Sequence, residues 1–200
     1  MPEELPELIV ADERAWLQWL QAHGAEQQRG VWLVIAKKGA TEPTSLSYAE
    51  ALEHALCHGW IDGRVKRRDE QTFRQRFTPR RARSAWSKRN VAIVERLLAE
   101  GRMHETGLVA VAAAKDDGRW EAAYAGPATI EIPDDLATAL AAEPRAQAMF
   151  EILTSQNRYS VLLRIDSAKR AETRARRIEQ FVAMLARGET VYPQKRKLSD

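Results

Sequence analysis

The sequence predicts an α+β fold with a small antiparallel sheet of three or more strands in its N-terminal part. An apolar run, Val31–Ala36, and two further runs, Trp60–Arg67 and Gln71–Thr78, have the length and composition of strands. Beyond residue 83, apolar residues recur at the helical spacing of three and four. We therefore divide the chain into a sheet-containing portion, residues 1–83, and a helical portion, residues 84–200, and we expect the two to form one compact unit.

Local signals place the first elements along the chain. Asp12 is suited to cap a helix that runs to about His23. Ser47 and Glu50 have the spacing of a capping box, and the helix that they begin should end near Gly59. Since Val31–Ala36 is apolar at every position, we expect this strand to be covered on both faces.

The helical portion is marked by capping residues, prolines and terminal glycines. A helix that begins at Ser84 should end at Gly101, and a final helix should end before Gly188. Prolines favour the first position of a helix because they lack the amide hydrogen that would be unpaired there. Further helices are predicted to begin at Thr106, Pro133, Pro144 and Ser155.

Composition excludes several classes of protein. The chain of 200 residues is 44% hydrophobic and 30% charged, which is typical of a soluble globular domain. Its one cysteine, Cys57, excludes an internal disulfide and a multi-cysteine zinc cluster. The acidic N-terminus has no apolar core, and no apolar run approaches the roughly 20 residues that cross a bilayer. We expect a cytoplasmic protein without a signal peptide or membrane insertion.

Charge is concentrated in one segment. Residues 64–89 contain eleven basic and two acidic residues, although the net charge of the whole chain is only +3. A local excess of positive charge indicates an anionic partner, either a small molecule or an acidic protein surface. Ion pairing of these arginines with acids elsewhere in the fold is the alternative interpretation.

The two strands on either side of Arg68–Glu70 are predicted to form a hairpin with a definite register. A three-residue connection would pair Val65 with Phe73 and Ile61 with Phe77, which places the apolar side chains on one face. On the other face, Asp62 would lie opposite Arg76, and Arg64 opposite Arg74. Two arginines that face each other repel unless a negative group lies between them.

This predicted face leads into a turn and a helix N-terminus that also favour anions. Guanidinium groups, serine hydroxyls and unpaired amides at a helix N-terminus are the groups that hold phosphate or carboxylate. We therefore predict a site for an anionic ligand, with no cofactor and no metal. Its candidate residues are Trp60, Asp62, Arg64, Arg74, Arg76, Thr78, Arg80, Arg81, Ser84, Trp86, Ser87 and Asn90.

Three other kinds of chemistry were weighed against anion binding. His54, Cys57 and His58 lie within five residues, but Cys57 points away from the apolar stripe that His58 flanks, so we expect no shared metal ion. An enzyme that acts on a phosphorylated or carboxylated metabolite could use Asp62 as a general base with Cys57 nearby. A neighbouring guanidinium, however, lowers the pKa of a carboxylate and weakens it as a base.

Nucleic-acid binding is the third alternative. Trp60, with Phe73 and Phe77 nearby, would offer rings for base stacking beside the arginines. In the predicted register, however, both phenylalanines lie on the face opposite the arginines, so packing in the core is their better explanation. We expect nucleic acid to be a less favoured partner than a small anion or an acidic surface.

Several longer motifs resemble those of one bacterial family, the YdeI/OmpD-associated or bacteriocin-protection proteins. The resemblance extends from about Trp16 to Pro193. The family has an aromatic residue at the position of His58, which argues against an essential ligand there. The motifs are Ala55–Gly63, Arg76–Arg81, Trp86–Ser87, Asn90, Gly101–Met103, Ala114–Lys115, Gly118–Trp120 and Glu172–Arg174.

The resemblance implies a small bacterial protein associated with tolerance of bacteriocins or cationic antimicrobial peptides, or with envelope stress. It implies no catalytic residue and no cofactor. Because the basic segment repels cationic peptides, we do not expect that segment to sequester them directly. Combined with the charge pattern, the resemblance predicts a non-enzymatic stress-resistance protein whose basic groove binds an anionic ligand or partner.

Overall fold

The protein is described here by a computed structural model that covers residues 5–198. The chain divides into two compact units, of which the first ends at Ala123 and the second begins at Tyr124. The division predicted after residue 83 falls inside the first unit, ahead of two of its helices. None of the helices within the described residues combines the length and apolar character that a bilayer crossing requires.

The predicted α+β class is confirmed. All described strands lie in the first unit, together with four helices, and the second unit is helical. The first unit contains β1 (Glu7–Leu8), α1 (Glu13–His23), β2 (Val31–Ala36), α2 (Tyr48–Cys57), β3 (Trp60–Arg67), β4 (Thr72–Pro79), α3 (Lys88–Ala99) and α4 (Glu105–Asp116). The second unit contains α5 (Asp134–Ala141), α6 (Pro144–Glu151), α7 (Ser155–Asp166) and α8 (Ala171–Ala186).

The strands form one sheet in the order β1-β2-β4-β3. β4 pairs antiparallel with both β2 and β3, but β1 runs parallel to β2. The three strands predicted from the sequence thus pair antiparallel as expected, and the short β1 makes the sheet mixed. The parallel pairing of β1 with β2 follows from the order of the elements. α1 lies between these two strands, and parallel neighbours are usually joined by a helical crossover of this kind.

Most of the predicted helix signals are confirmed. The Asp12 side chain accepts a hydrogen bond from the Ala15 amide, and α1 ends at His23. Ser47 and Glu50 form the complete capping box at the start of α2. Pro144 occupies the first turn of α6, and β2 is buried along almost its whole length, as expected of a strand covered on both faces.

Several predicted starting residues are wrong by one to three positions. Ser87, not Ser84, caps α3, because the Ser84 hydroxyl accepts a hydrogen bond from the Arg81 amide instead. His104, not Thr106, is the N-cap of α4. Pro133 lies at the N-cap of α5 rather than at its first helical position.

The register predicted for the β3–β4 hairpin is also wrong. Asp62 pairs with Phe77, and Val65 pairs with Gln75, so the pairing is displaced by one position near Trp60 and by two positions near the turn. Between these pairs, Gly63 and Arg64 together oppose Arg76 in a β-bulge. The side-chain amide of Gln75 donates a hydrogen bond of 2.9 Å to the Gly63 carbonyl at the bulge.

Each unit has its own hydrophobic core. In the first, the rings of Trp16 and Phe77 lie 5.8 Å apart and the rings of Trp16 and Trp60 lie 6.4 Å apart, which packs α1 against the sheet. In the second, the core brings together side chains from all four helices, including Leu136, Phe150 and Leu185. The two cores share no residue.

Candidate functional site

The observed register separates Asp62 from the hairpin arginines. Successive side chains of a strand point to opposite faces, so Arg74 and Arg76 lie on one face of β4, and Phe73 and Phe77 on the other. Asp62 pairs with Phe77 and therefore shares the face of Phe77, which packs against α1. The predicted cluster of Asp62 with Arg74 and Arg76 does not form.

Asp62 has a different partner. The hydroxyl of Tyr48, in the first turn of α2, donates a hydrogen bond of 2.8 Å to the Asp62 carboxylate. Arg89 donates a longer one, 3.5 Å, to the same hydroxyl. Burial, and then the charge and hydrogen bond of Asp62, raises the pKa of Tyr48 to about 12, so the hydroxyl stays protonated as a donor.

Arg64 and Arg74 do not face each other across the two strands. Arg74 donates hydrogen bonds to the Glu7 carboxylate and to the Arg67 carbonyl. It pairs across the strands with Lys66, whose ammonium lies 4.6 Å from the centre of the Trp32 ring. Arg64 lies in the exposed bulge, and Thr78 continues the Arg74–Arg76 face. The predicted repulsion between Arg64 and Arg74 is therefore absent.

A pocket of about 470 Å³ lies at the end of the hairpin, where β3 and β4 meet α1 and α4. We call it the basic pocket, because Arg80, Arg81 and Arg119 line it and none of its described lining residues is acidic. Of the candidates predicted from the sequence, the structure brings Trp60, Arg80 and Arg81 together here. These three residues lie at the end of the hairpin where β3 begins and β4 ends.

Local contacts hold the arginines of the basic pocket in place. The Arg80 guanidinium lies 3.4 Å from the centre of the Trp86 ring and donates to the Ala85 carbonyl. Arg119 forms an ion pair with Asp117 and donates to the Ser84 carbonyl. Arg81 is exposed. Two guanidinium groups are thus fixed by the protein, and the third projects at the rim.

Two histidines form another part of the wall. The rings of His58 and His104 stack with their centres 4.6 Å apart. Burial, followed by the proximity of His104 and His54, lowers the pKa of His58 to about 4, so its imidazole is neutral at neutral pH. The hydrogen bond from the His104 amide to the Cys57 carbonyl brings the two rings together.

This close approach of α2 and α4 requires glycine. Gly59 has φ +75, a left-handed conformation in which side chains are strained. A β-carbon at Gly107 would lie 2.1 Å from the Cys57 carbonyl oxygen. Both positions therefore fix the distance between His58 and His104.

The remaining predicted residues cap α3, pack in the core or stabilise the turn before α3. Ser87 caps α3 by accepting from the Asn90 amide, and both residues are buried. Trp86 is 2% exposed and packs with its ring centre 4.8 Å from that of Trp120. Ser84 holds the turn through Arg81 and Arg119.

The geometry also bears on the alternative chemistries. Phe77 is fully buried and Trp60 is 1% exposed, so neither offers a ring to a nucleic-acid base. Cys57 is buried, and this burial raises the pKa of its thiol, which disfavours the reactive thiolate. Within residues 5–198, no group of three or more His, Cys, Asp or Glu side chains is arranged to hold a metal ion.

Residues 8–110, just over half of the chain, match the family model described as Domain of unknown function (DUF8412). The chain belongs to this family. The DUF8412 segment covers β2 to β4, α1 to α3 and most of the basic pocket, whereas the lining residues Ala113 and Arg119 lie beyond its end.

Residues 129–188 match a second family model, described as Bacteriocin-protection, YdeI or OmpD-Associated. The predicted resemblance to that family is thus confirmed over α5 to α8, in the second unit, where the Glu172–Arg174 motif lies. The other quoted motifs precede residue 129, and most lie in the DUF8412 segment. No curated protein and no solved structure matches the chain.

Sequence reasoning missed most of the residues that line the basic pocket, among them His58 as a wall residue, His104 and Arg119. Arg119 stands in the Gly118–Trp120 motif, whose family resemblance gives no indication of a binding role. His104 precedes the first turn of α4, a position that is typical of a cap. Neither signal indicates proximity to Arg80, because that proximity is set by the fold.

Proposed function

We propose that this DUF8412 protein binds a small anionic ligand in the basic pocket and acts as a non-enzymatic binding protein in bacteriocin tolerance. The observation that carries the proposal is the lining: three arginines border a pocket of about 470 Å³, and no acidic side chain stands among its described lining residues. Guanidinium groups bind phosphate and carboxylate through paired, charge-assisted hydrogen bonds.

The position of the pocket supports a small molecule over an acidic protein surface. The arginines border a concave space between β3, β4, α1 and α4. Concave pockets of several hundred Å³ are typical sites for small molecules. The association with bacteriocin tolerance rests on the family matched by residues 129–188.

Two neighbouring arginines allow a matched test. Arg81 and Arg83 are both exposed, but only Arg81 lines the basic pocket. Calorimetric titration of the full chain with inorganic phosphate and pyrophosphate should show that Arg81→Gln weakens binding roughly tenfold or more, since a hydrogen bond to a charged group contributes about 1.5–3 kcal/mol. Arg83→Gln should retain the wild-type affinity.

A third variant separates the basic pocket from the hairpin face predicted at first. Arg76 does not line the pocket, so Arg76→Gln should bind phosphate as the wild type does. Equal losses in all three variants would mean that only the overall positive charge attracts the anion. That result, or no binding of either anion by the wild type, would contradict the proposal.

A further inference from the structure

The basic pocket has two chemically different walls. The turn after β4 contributes Arg80 and Arg81, with Arg119 beside them. Across from this charge, α4 contributes Val109, Ala110 and Ala113, which carry no polar side-chain atom. A ligand that contacts both walls must therefore combine a charged group with an apolar part.

The apolar wall is an exposed one. Val109 is 63% exposed, and Ala113, one helical turn further on, is exposed as well. A helix at the surface of a protein usually presents polar residues on its outer side. Here α4 presents apolar side chains to solvent at the pocket, so a bound apolar group would remove them from water.

The volume of the pocket indicates the same kind of ligand. Pockets that enclose an organic molecule measure roughly 300–1,000 Å³, and the basic pocket measures about 470 Å³. A free inorganic anion would contact the arginines and leave the wall of α4 uncovered. The stacked rings of His58 and His104 add a flat surface, and the neutral His58 imidazole does not require a second charge on the ligand.

We infer that the ligand is an amphiphilic anion, a phosphate or carboxylate group joined to a short apolar chain or ring. This inference rests on the proposed function and specifies its ligand class. The anionic group lies against Arg80 and Arg81, and the apolar part lies along Val109 and Ala113.

A series of phosphate monoesters tests the apolar wall. Ethyl, butyl and hexyl phosphate carry the same charged group and differ only in chain length. Burial of one methylene group contributes about 0.8 kcal/mol, or roughly fourfold in affinity. Calorimetric titration of the full chain should therefore show Kd falling about fifteenfold for each two-carbon step until the pocket is filled. Hexylammonium, with the same chain and the opposite charge, should not bind.

Adjacent residues of α4 supply the matched variants. Val109 and Leu108 are both exposed, but only Val109 lines the pocket. Val109→Gln should abolish most of the gain between ethyl and hexyl phosphate and leave the affinity for inorganic phosphate unchanged. Leu108→Gln should reproduce the wild-type series.

The possible failures are distinguishable. If inorganic phosphate binds and depends on Arg81, but all three esters bind equally, the amphiphilic ligand class is overturned and the proposed function stands. Equal flattening of the series by Leu108→Gln and Val109→Gln would also overturn it, because the apolar contact would then lie outside the pocket. Failure of every anion to bind would overturn both proposals.

Discussion

His58 keeps a neutral imidazole at the surface of the basic pocket. It is 8% exposed, and its ring stacks on His104. A charged imidazole would lose hydration there and would face His104 and His54, and these effects together hold the pKa of His58 near 4, below the usual value of 6.5. His58 therefore adds no positive charge to the pocket at neutral pH.

This depressed pKa makes the stability of the first unit depend on pH. As pH falls from 6.5 towards 4, the unfolded chain gains a proton at His58 that the folded chain does not, so the folded state loses stability. His58→Phe should remove this loss, which amounts to up to about 3 kcal/mol. Urea unfolding between pH 7 and pH 4, followed by tryptophan fluorescence, measures the difference. His23→Gln is the control at an exposed histidine, and a His58→Phe protein with the wild-type pH dependence would contradict the assignment.

The hydrogen-bond partner of Asp62 could not be predicted from the pattern of residues in the hairpin. The sequence places it in a strand beside many arginines, and a simple alternating register puts it opposite Arg76. In the structure, Tyr48 binds it across 14 positions of sequence. No pattern within the hairpin indicates that partner, because the contact exists only once α2 has packed against β3.

At the scale of elements, the start of α4 is fixed against the end of α2. The Thr106 hydroxyl donates to the His58 carbonyl, and the His104 amide donates to the Cys57 carbonyl. Gly107 lies in the first turn of α4 and is buried against this contact. The two elements approach closely only because this position lacks a side chain.

Gly107→Ala tests the contact. In an open helix, this change would stabilise the protein by up to about 1 kcal/mol through helix propensity. Here the new β-carbon would lie 2.1 Å from the Cys57 carbonyl oxygen, and the resulting overpacking costs roughly 1–3 kcal/mol or more. The clash is the larger effect, so we expect the urea midpoint of the first unit to fall. Gly63→Ala is the control within the first unit: its β-carbon would lie no closer than 3.8 Å to Arg76 and should not lower stability. An unchanged or raised midpoint for Gly107→Ala would show that the contact is loose.

Elements whose signals are local could be predicted well. The caps at Asp12 and Ser47 involve residues three positions away, and both are confirmed. The start of α3 was missed because Ser84 and Ser87 have equal capping chemistry, and the Arg81 amide engages Ser84. The bulge at Gly63 could not be predicted, because the predicted pairing assumes one constant offset between β3 and β4, and a bulge changes that offset within the hairpin.

Strand β1 could not be predicted either, because a strand of two residues is too short to show an alternation of polar and apolar side chains. The candidate site shows the same limit. Arg80 and Arg81 could be predicted from the basic segment in which they lie. Arg119 also lines the pocket, but it lies 39 positions after Arg80 in the sequence and outside that segment. Patterns in the sequence thus identified the part of the site that one hairpin and its turn contribute.

For the molecule as a whole, the two units match different family models, and the basic residues and tryptophans are distributed unequally between them. The boundary after Ala123 falls between the two matched segments, residues 8–110 and 129–188. The basic segment, the basic pocket and all six tryptophans belong to the first unit. Tryptophan fluorescence therefore reports on the first unit alone.

Because each unit has its own core, we predict that residues 1–123 fold without the second unit. This fragment contains the whole first core and every residue that lines the basic pocket, so it should show a cooperative urea transition and bind inorganic phosphate like the full chain. A shorter fragment, residues 1–83, ends at the boundary predicted from the sequence and serves as the comparison. It lacks Trp86, Val94, Leu97 and Val111 from the core, together with Arg119, and should unfold without a cooperative transition. Cooperative folding of residues 1–83, or an unfolded 1–123 fragment, would show that the core of the first unit is not the unit of stability.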